Sequence, residues 1–136
     1  MIKDIAHVCL TTTDLAATER FYCEGLGFKK IFEFIRGGER VGFYLQVNER
    51  RYIEVFHRES VHLSDRHTMV HICFEVEDID GVRHRLMSRH IDVTEKKMGG
   101  DGSWQMWATD PSGVRLEFHQ YTPESAQLTG KDCLLG

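Results

Sequence analysis

Four residues of this chain have the types and spacing of a metal-binding set: His7, Glu54, His71 and Glu117. They arise as two copies of one pattern. His-Val-Cys-Leu at 7–10 recurs as His-Ile-Cys-Phe at 71–74, and an acidic residue stands seven positions past each histidine, Asp14 and Asp78. Ile53-Glu54-Val55 is echoed by Leu116-Glu117-Phe118. His7 to Glu54 spans 47 residues and His71 to Glu117 spans 46, so one module carrying one His and one Glu occurs twice. Taken singly, a His in an apolar strand is most often a hydrogen-bonded core residue, and a Glu in Tyr-Ile-Glu-Val-Phe is the solvent face of an amphipathic strand. Recurrence of both at matching positions shifts the balance, because burying two carboxylates together without a cation is costly. If a pseudo-twofold axis relates the copies, two imidazole nitrogens and two carboxylate oxygens make an N2O2 set. That set suits one divalent metal ion (Ni, Co, Zn, Mn or Fe), and donor softness alone does not choose among them.

The elements that must position these residues follow from periodicity. Residues 4–12 are rich in β-formers and predict a first strand. Thr13-Asp14 then caps a helix whose Leu15, Thr18, Tyr22 and Leu26 share one buried face, ended by Gly25 and Gly27. Residues 28–35 and 41–47 read as a hairpin across Arg36-Gly37-Gly38-Glu39-Arg40, and 51–57 as a fourth strand. The second module repeats the order. It has a strand at 68–77, a helix capped by Asp78 that buries Ile79, Val82 and Leu86, then strands at 91–98, 103–109 and 114–121. Asp110-Pro111-Ser112-Gly113 has Pro second and Gly fourth, a type I turn signal. The expected fold is α+β: two βαβββ modules whose sheets form one cup-shaped, open barrel-like surface. Module one covers 4–58, a linker 59–67, module two 68–121, and a mobile tail 122–136.

Alternation along strands puts His7 with Cys9, Tyr52 with Glu54 and Phe56, His71 with Cys73, and Glu117 with His119 on common faces. His119 is then either a substrate contact or a hydrogen-bonded residue. Trp104 and Trp107 fall on opposite faces, one toward the core and one toward a pocket wall. Cys9 and Cys73 as zinc ligands would leave both glutamates unexplained, and i, i+2 ligation along one strand is awkward. Gly37-Gly38 and Gly99-Gly100-Asp101-Gly102 read as turns, not phosphate loops, since no helix follows either. His57, His62, His67, His84 and His90 have no evident partners and are taken as structural.

Length and composition bound the rest. At 136 residues the chain has the size of one domain. A formal charge of −4 argues against nucleic acid as a partner, and Arg83, Arg85 and Arg89 read as a solvated helix face. No apolar run is long enough for a bilayer, and the start lacks a signal-peptide pattern, so no membrane partner and a cytoplasmic location are expected. Cys9, Cys23, Cys73 and Cys133 form no CxxC and read as reduced thiols.

With these residues in place, the chain resembles the vicinal oxygen chelate superfamily, which includes glyoxalase I, methylmalonyl-CoA epimerase, extradiol dioxygenases and the fosfomycin and bleomycin resistance proteins. The resemblance covers roughly residues 4–121. It rests on His7 followed by Thr13-Asp14-Leu15, on Phe21-Tyr22 with Gly25-Leu26-Gly27-Phe28, on Ile53-Glu54, on His71, and on Asp110-Pro111-Ser112-Gly113 with Leu116-Glu117. It implies that His7, Glu54, His71 and Glu117 bind the metal. Glu54 discriminates among branches: dioxygenases and fosfomycin resistance proteins lack a ligand there, methylmalonyl-CoA epimerase carries Gln, and bacterial glyoxalase I carries Glu.

By that resemblance the chain is a metal-dependent lyase or isomerase acting on a small-molecule substrate with vicinal oxygens. The ion acts as a Lewis acid that stabilises an enediolate, and a carboxylate moves the proton. The resemblance assigns that base to Glu117, with Glu54 on the opposite face. A homodimer is also implied, with the site formed within one chain or across two. The glutathione contacts of glyoxalase I do not carry over. Thr11 stands where an Arg is needed, Arg58 where an Asn is, and Met98 where a basic residue is, although Lys96 and Lys97 are adjacent. The alternatives are an Fe(II) ring-cleaving dioxygenase and a non-catalytic binding or resistance protein.

Overall fold

A computed structural model describes residue 1, residues 3–61 and residues 68–135. His62, His67 and most of the expected linker 59–67 lie outside the described residues. The chain divides into two compact units, Met1–Ser64 and Asp65–Gly136. Each carries one four-stranded mixed sheet with few helices, which makes the fold α+β with two modules.

The first unit runs β1 (His7–Thr12), α1 (Leu15–Glu19), a π-helical segment (Arg20–Gly25), β2 (Lys29–Arg36), β3 (Glu39–Asn48) and β4 (Arg51–His57). The sheet order is β1-β4-β3-β2, with β1 and β4 parallel and the other pairs antiparallel. The first and last strands of the module therefore lie side by side. The helix starts where expected: Asp14 Oδ1 accepts from the Ala17 N–H at 3.0 Å, satisfying one orphan donor. Thr12 Oγ1 accepts from the Asp14 N–H and the Thr18 hydroxyl, so a buried polar pair ties strand to helix. The helix does not stay α-helical. Leu26 N–H reaches back to Phe21 O at 3.1 Å, and the wider turn buries Phe21 and Tyr22 together. Leu15 and Leu26 are only half-buried, and Gly25 is the last residue of the wide turn. Gly27, at φ +80°, provides the left-handed exit. Leu10, Phe43, Leu45, Ile53 and Val55 are buried on the helix side, which leaves the opposite face for function.

The second unit repeats the plan as β5 (Ile72–Glu75), α2 (Ile79–Ser88), β6 (Lys97–Met98), β7 (Trp104–Thr109), β8 (Arg115–Gln120) and a short α3 (Ala126–Thr129). Its order is β5-β8-β7-β6, again with first and last strands parallel. Asp78 caps α2 through Gly81 N–H at 3.0 Å, and the next N–H, of Ile79, donates to Gln120 Oε1 on β8. Ile79 and Leu86 are buried with Met106, Ala108, Leu116 and Phe118, while Val82 is half-buried. The 110–113 turn forms: Gly113 N–H donates to Asp110 O, and Asp110 Oδ1 accepts from the N–H groups of Ser112 and Val114.

Three expectations are corrected here. The strand expected at 68–77 is confined to Ile72–Glu75, leaving His71 just before it. The strand at 91–98 reduces to Lys97–Met98 and one bridge from Val93 to Ala108. The reason is Thr94, whose hydroxyl oxygen takes the Trp107 N–H at 2.9 Å and replaces a backbone carbonyl in the ladder. The tail expected to be mobile is tied down over 122–129. Ser103 Oγ bonds Ser125 Oγ at 2.9 Å with both residues fully buried, Thr122 Oγ1 donates to Gly102 O, and Ala126 N–H to Asp101 O.

Candidate functional site

Parallel pairing of first and last strands places each histidine beside its own glutamate despite the long chain separation. In unit one Cys9 pairs with Glu54 in register, and His7 Nε2 lies 3.9 Å from Glu54 Oε1. In unit two Cys73 pairs with Glu117, and His71 Nε2 lies 3.0 Å from Glu117 Oε2. Thus His7 meets Glu54 and His71 meets Glu117 in the same way, one pair per module.

A third member of the pattern escaped the sequence reading. Tyr44 pairs with Glu54 across β3–β4, and Trp107 pairs with Glu117 across β7–β8. Both rings meet the histidine of their own module edge-on, at 5.8 Å for Tyr44–His7 and 4.9 Å for Trp107–His71. The Tyr44 hydroxyl is also 3.3 Å from His7 Nδ1. The signal was present, because each aromatic stands ten residues before its Glu. Neither tryptophan is a core residue: Trp104 lies under Lys96, and Trp107 is flanked by Arg115 and His71.

The modules differ around the carboxylate. Glu117 is 7% exposed and has a second imidazole on its other oxygen, with His119 Nε2 2.7 Å from Oε1. Beyond His119, Asp101 Oδ2 lies 3.9 Å from Nδ1. Asp101 is another residue the sequence reading took only as part of a turn. Burial works to raise its carboxyl, but hydrogen bonds from Gln127 and the Ser103 N–H outweigh that and hold it below the usual range. At the position of His119, two residues past its Glu, module one has Phe56, stacked on Phe34 with centroids 4.5 Å apart. Gly42 makes room for that stack, since a Cβ there would meet Phe56 Cδ1 at 2.9 Å and Phe34 Cδ2 at 3.2 Å.

The two strand thiols report the charge beside them. Burial, then the Glu117 and Asp101 carboxylates, push the Cys73 thiol up to about 12. Burial and then Glu54 raise Cys9 in the same direction. Both thiols are therefore kept as S–H groups at neutral pH, and that of Cys9 donates to the Leu10 carbonyl. Cys9, Cys23, Cys73 and Cys133 are all unbridged.

The donor set fits a divalent cation. Two ligand atoms each about 2.1 Å from one ion and at right angles to each other lie about 3 Å apart. The 3.0 Å between His71 Nε2 and Glu117 Oε2 matches that edge, whereas the 3.9 Å of His7 and Glu54 requires a side-chain rotation. Cys73, Glu117 and His119 also form a cluster whose donor atoms lie within 4.8 Å of one another. Glu117 belongs to both groupings, which makes it the centre of the donor set in its unit.

The family model of the Glyoxalase/Bleomycin resistance protein/Dioxygenase superfamily matches residues 4–118. The chain is 28% identical over 127 residues to the uncharacterized protein YaeR of Escherichia coli strain K12, covering 88% of this chain and 97% of that one. A glyoxalase family protein from Enterococcus faecalis superposes with a TM-score of 0.74 at 26% identity, over 86% of this chain and 97% of that one. Lactoylglutathione lyase from Agrobacterium tumefaciens superposes with a TM-score of 0.66 at 21% identity, over 88% and 94% of the two chains, a likeness of fold.

Proposed function

This chain belongs to the Glyoxalase/Bleomycin resistance protein/Dioxygenase superfamily, and from that premise we propose that it is a metal-dependent lyase or isomerase moving a proton between adjacent carbons of a small substrate with vicinal oxygens. In this reading His7, Glu54, His71 and Glu117 hold one divalent ion (Ni, Co, Zn, Mn or Fe). The observation that carries it is the repeated trio: each module sets an imidazole against a carboxylate and edges the imidazole with an aromatic ring. When bound, the ion supplies Lewis-acid stabilisation of negative charge on the substrate oxygens.

The chain's own residues supply the rest. Glu117 and Glu54 are the carboxylates that accept and return the proton. Tyr44 and Trp107 restrict the imidazoles to one orientation and shield them from water on one side. Thr11 and Arg58 make glutathione a poor fit, so the substrate is better sought among other α-hydroxycarbonyl compounds. The working form is a cytoplasmic homodimer. Among the described residues no helix is long and apolar enough to cross a membrane.

Metal analysis with site variants tests this reading. The purified chain should retain about one divalent ion per metal site, and His71→Ala and Glu117→Ala should each abolish retention. Retention unchanged in both would refute it. The wide 3.9 Å separation of His7 and Glu54 favours one second reading, a triad of His7, His71 and Glu117 in an Fe(II) ring-cleaving dioxygenase. Oxygen uptake with catechol, preserved in Glu54→Gln, would select it.

A further inference from the structure

The two carboxylates are similarly placed but differently held. Glu117 receives an imidazole on each oxygen, His71 on Oε2 at 3.0 Å and His119 on Oε1 at 2.7 Å, and the Cys73 thiol as well. Its side chain is 9% exposed and that of His119 is 11% exposed. Glu54 has the Cys9 thiol and, at 3.9 Å, His7, and its side chain is 21% exposed. The residue that would secure it as His119 secures Glu117 is Phe56, which has no hydrogen to donate.

We propose that His119 is a positioning residue that fixes the orientation of the Glu117 carboxylate, so that Glu117 would be the more tightly held metal donor and Glu54 the more loosely held one. This rests on the metal-dependent reading above and assigns different work to the two halves of a duplicated pattern. A carboxylate accepts on both oxygens, and an imidazole held on one of them fixes the rotation of the group and so the direction in which the other points. His119 is itself limited by burial and by Asp101, which faces its second nitrogen. Among the described residues module one offers no such chain, so Glu54 can turn about its last torsions without breaking an imidazole bond of hydrogen-bonding length. The duplicated module explains why both glutamates are present, and the unduplicated His119 explains why they need not behave alike.

The test is calorimetric titration of the full metal-free chain with cobalt(II) alone, joined to the visible spectrum of the bound ion. His119→Leu should weaken cobalt binding by about 10–100-fold, the usual effect of removing a partner that orients a ligand. His119→Gln keeps an N–H donor and should recover most of that loss and the wild-type spectrum. Glu117→Gln should cost far more affinity than Glu54→Gln. Equal losses at the two glutamates overturn the inference while leaving the metal reading standing. Wild-type affinity in His119→Leu, or equal losses in His119→Leu and His119→Gln, does the same. Absence of cobalt binding by the wild type overturns the metal reading itself, and this inference with it.

Discussion

Gly42 should tolerate no side chain, and the direction of the effect is decided by the structure. It is buried on β3, in register with Phe34 on β2 and Phe56 on β4. Its φ is not positive, so alanine would meet no backbone strain there. By backbone entropy alone Gly42→Ala should then stabilise the chain by about 0.4–1 kcal/mol. The added Cβ, however, would meet the Val55 carbonyl oxygen, with Phe56 Cδ1 at 2.9 Å and Phe34 Cδ2 at 3.2 Å. The two rings can give way, but a carbonyl of the adjacent strand cannot move without disturbing the β3–β4 ladder. Overpacking of this kind costs about 1–3 kcal/mol, and contact with fixed backbone points to the upper part of that range. The net loss is about 1–2 kcal/mol, or roughly 3–8 °C in melting temperature for a chain of this length. Thermal and urea unfolding of Gly42→Ala measure it, and near-ultraviolet circular dichroism follows the Phe34–Phe56 and Tyr44 environment. A midpoint equal to or above that of the wild type would refute the argument from close approach.

Two further outcomes follow from charge. Glu19 and Glu33 share Lys30 and Arg40, with contacts of 2.6–3.0 Å. For Glu19, burial opposes ionisation, but the bonds from Lys30 and Arg40 prevail and hold the carboxyl below its usual range, and the same two bonds lower Glu33. A carboxyl lowered in the folded state contributes stability that is complete above its unfolded value, about 4.3 for Glu, and lost as pH falls through the folded value. Urea midpoints should therefore drop below about pH 4, and Arg40→Met should flatten that pH dependence; an unchanged slope would count against the network. The Cys73 thiol, at about 12, should be alkylated by iodoacetamide at pH 8 about a thousandfold more slowly than an ordinary thiol, and faster in Glu117→Gln. Mass spectrometry of alkylated peptides, with Cys133 as the comparison, checks this, and equal rates at Cys73 and Cys133 would refute it.

Features written in short stretches of chain were legible. Both aspartate caps, the 110–113 turn and the strand Arg51–His57 depend on neighbours in sequence, and the duplicated His and Glu could be counted. The adjacency of each His to its Glu needed only the inference that a module closes first strand onto last. What escaped depends on partners far along the chain. Thr94 is a strong β-former, but its hydroxyl captures the Trp107 N–H thirteen residues away and interrupts the ladder. Ser125 looks like tail until Ser103 is seen opposite it. The wide turn at Arg20–Gly25 has the same apolar spacing as an ordinary helix, and only the burial of Phe21 beside Tyr22 distinguishes it. His119 shares the face of Glu117 as alternation along the strand implies, and its partner there, Glu117, is two residues away on the same strand.

The parallel closure of each module also sets the order in which the site can assemble. Cys9 and Glu54, or Cys73 and Glu117, come together only after about 45 intervening residues have been gathered, a loop-closure cost of roughly 3 kcal/mol that contacts within the hairpins do not incur. The donor pairs therefore belong to the late steps of folding, after β2–β3 and β7–β8 have formed. An ion that recognises those pairs has nothing to bind in the early chain and cannot act as a nucleus. Its stabilisation would act on the way out: added metal should lengthen the lifetime of the folded state while leaving the refolding rate nearly unchanged.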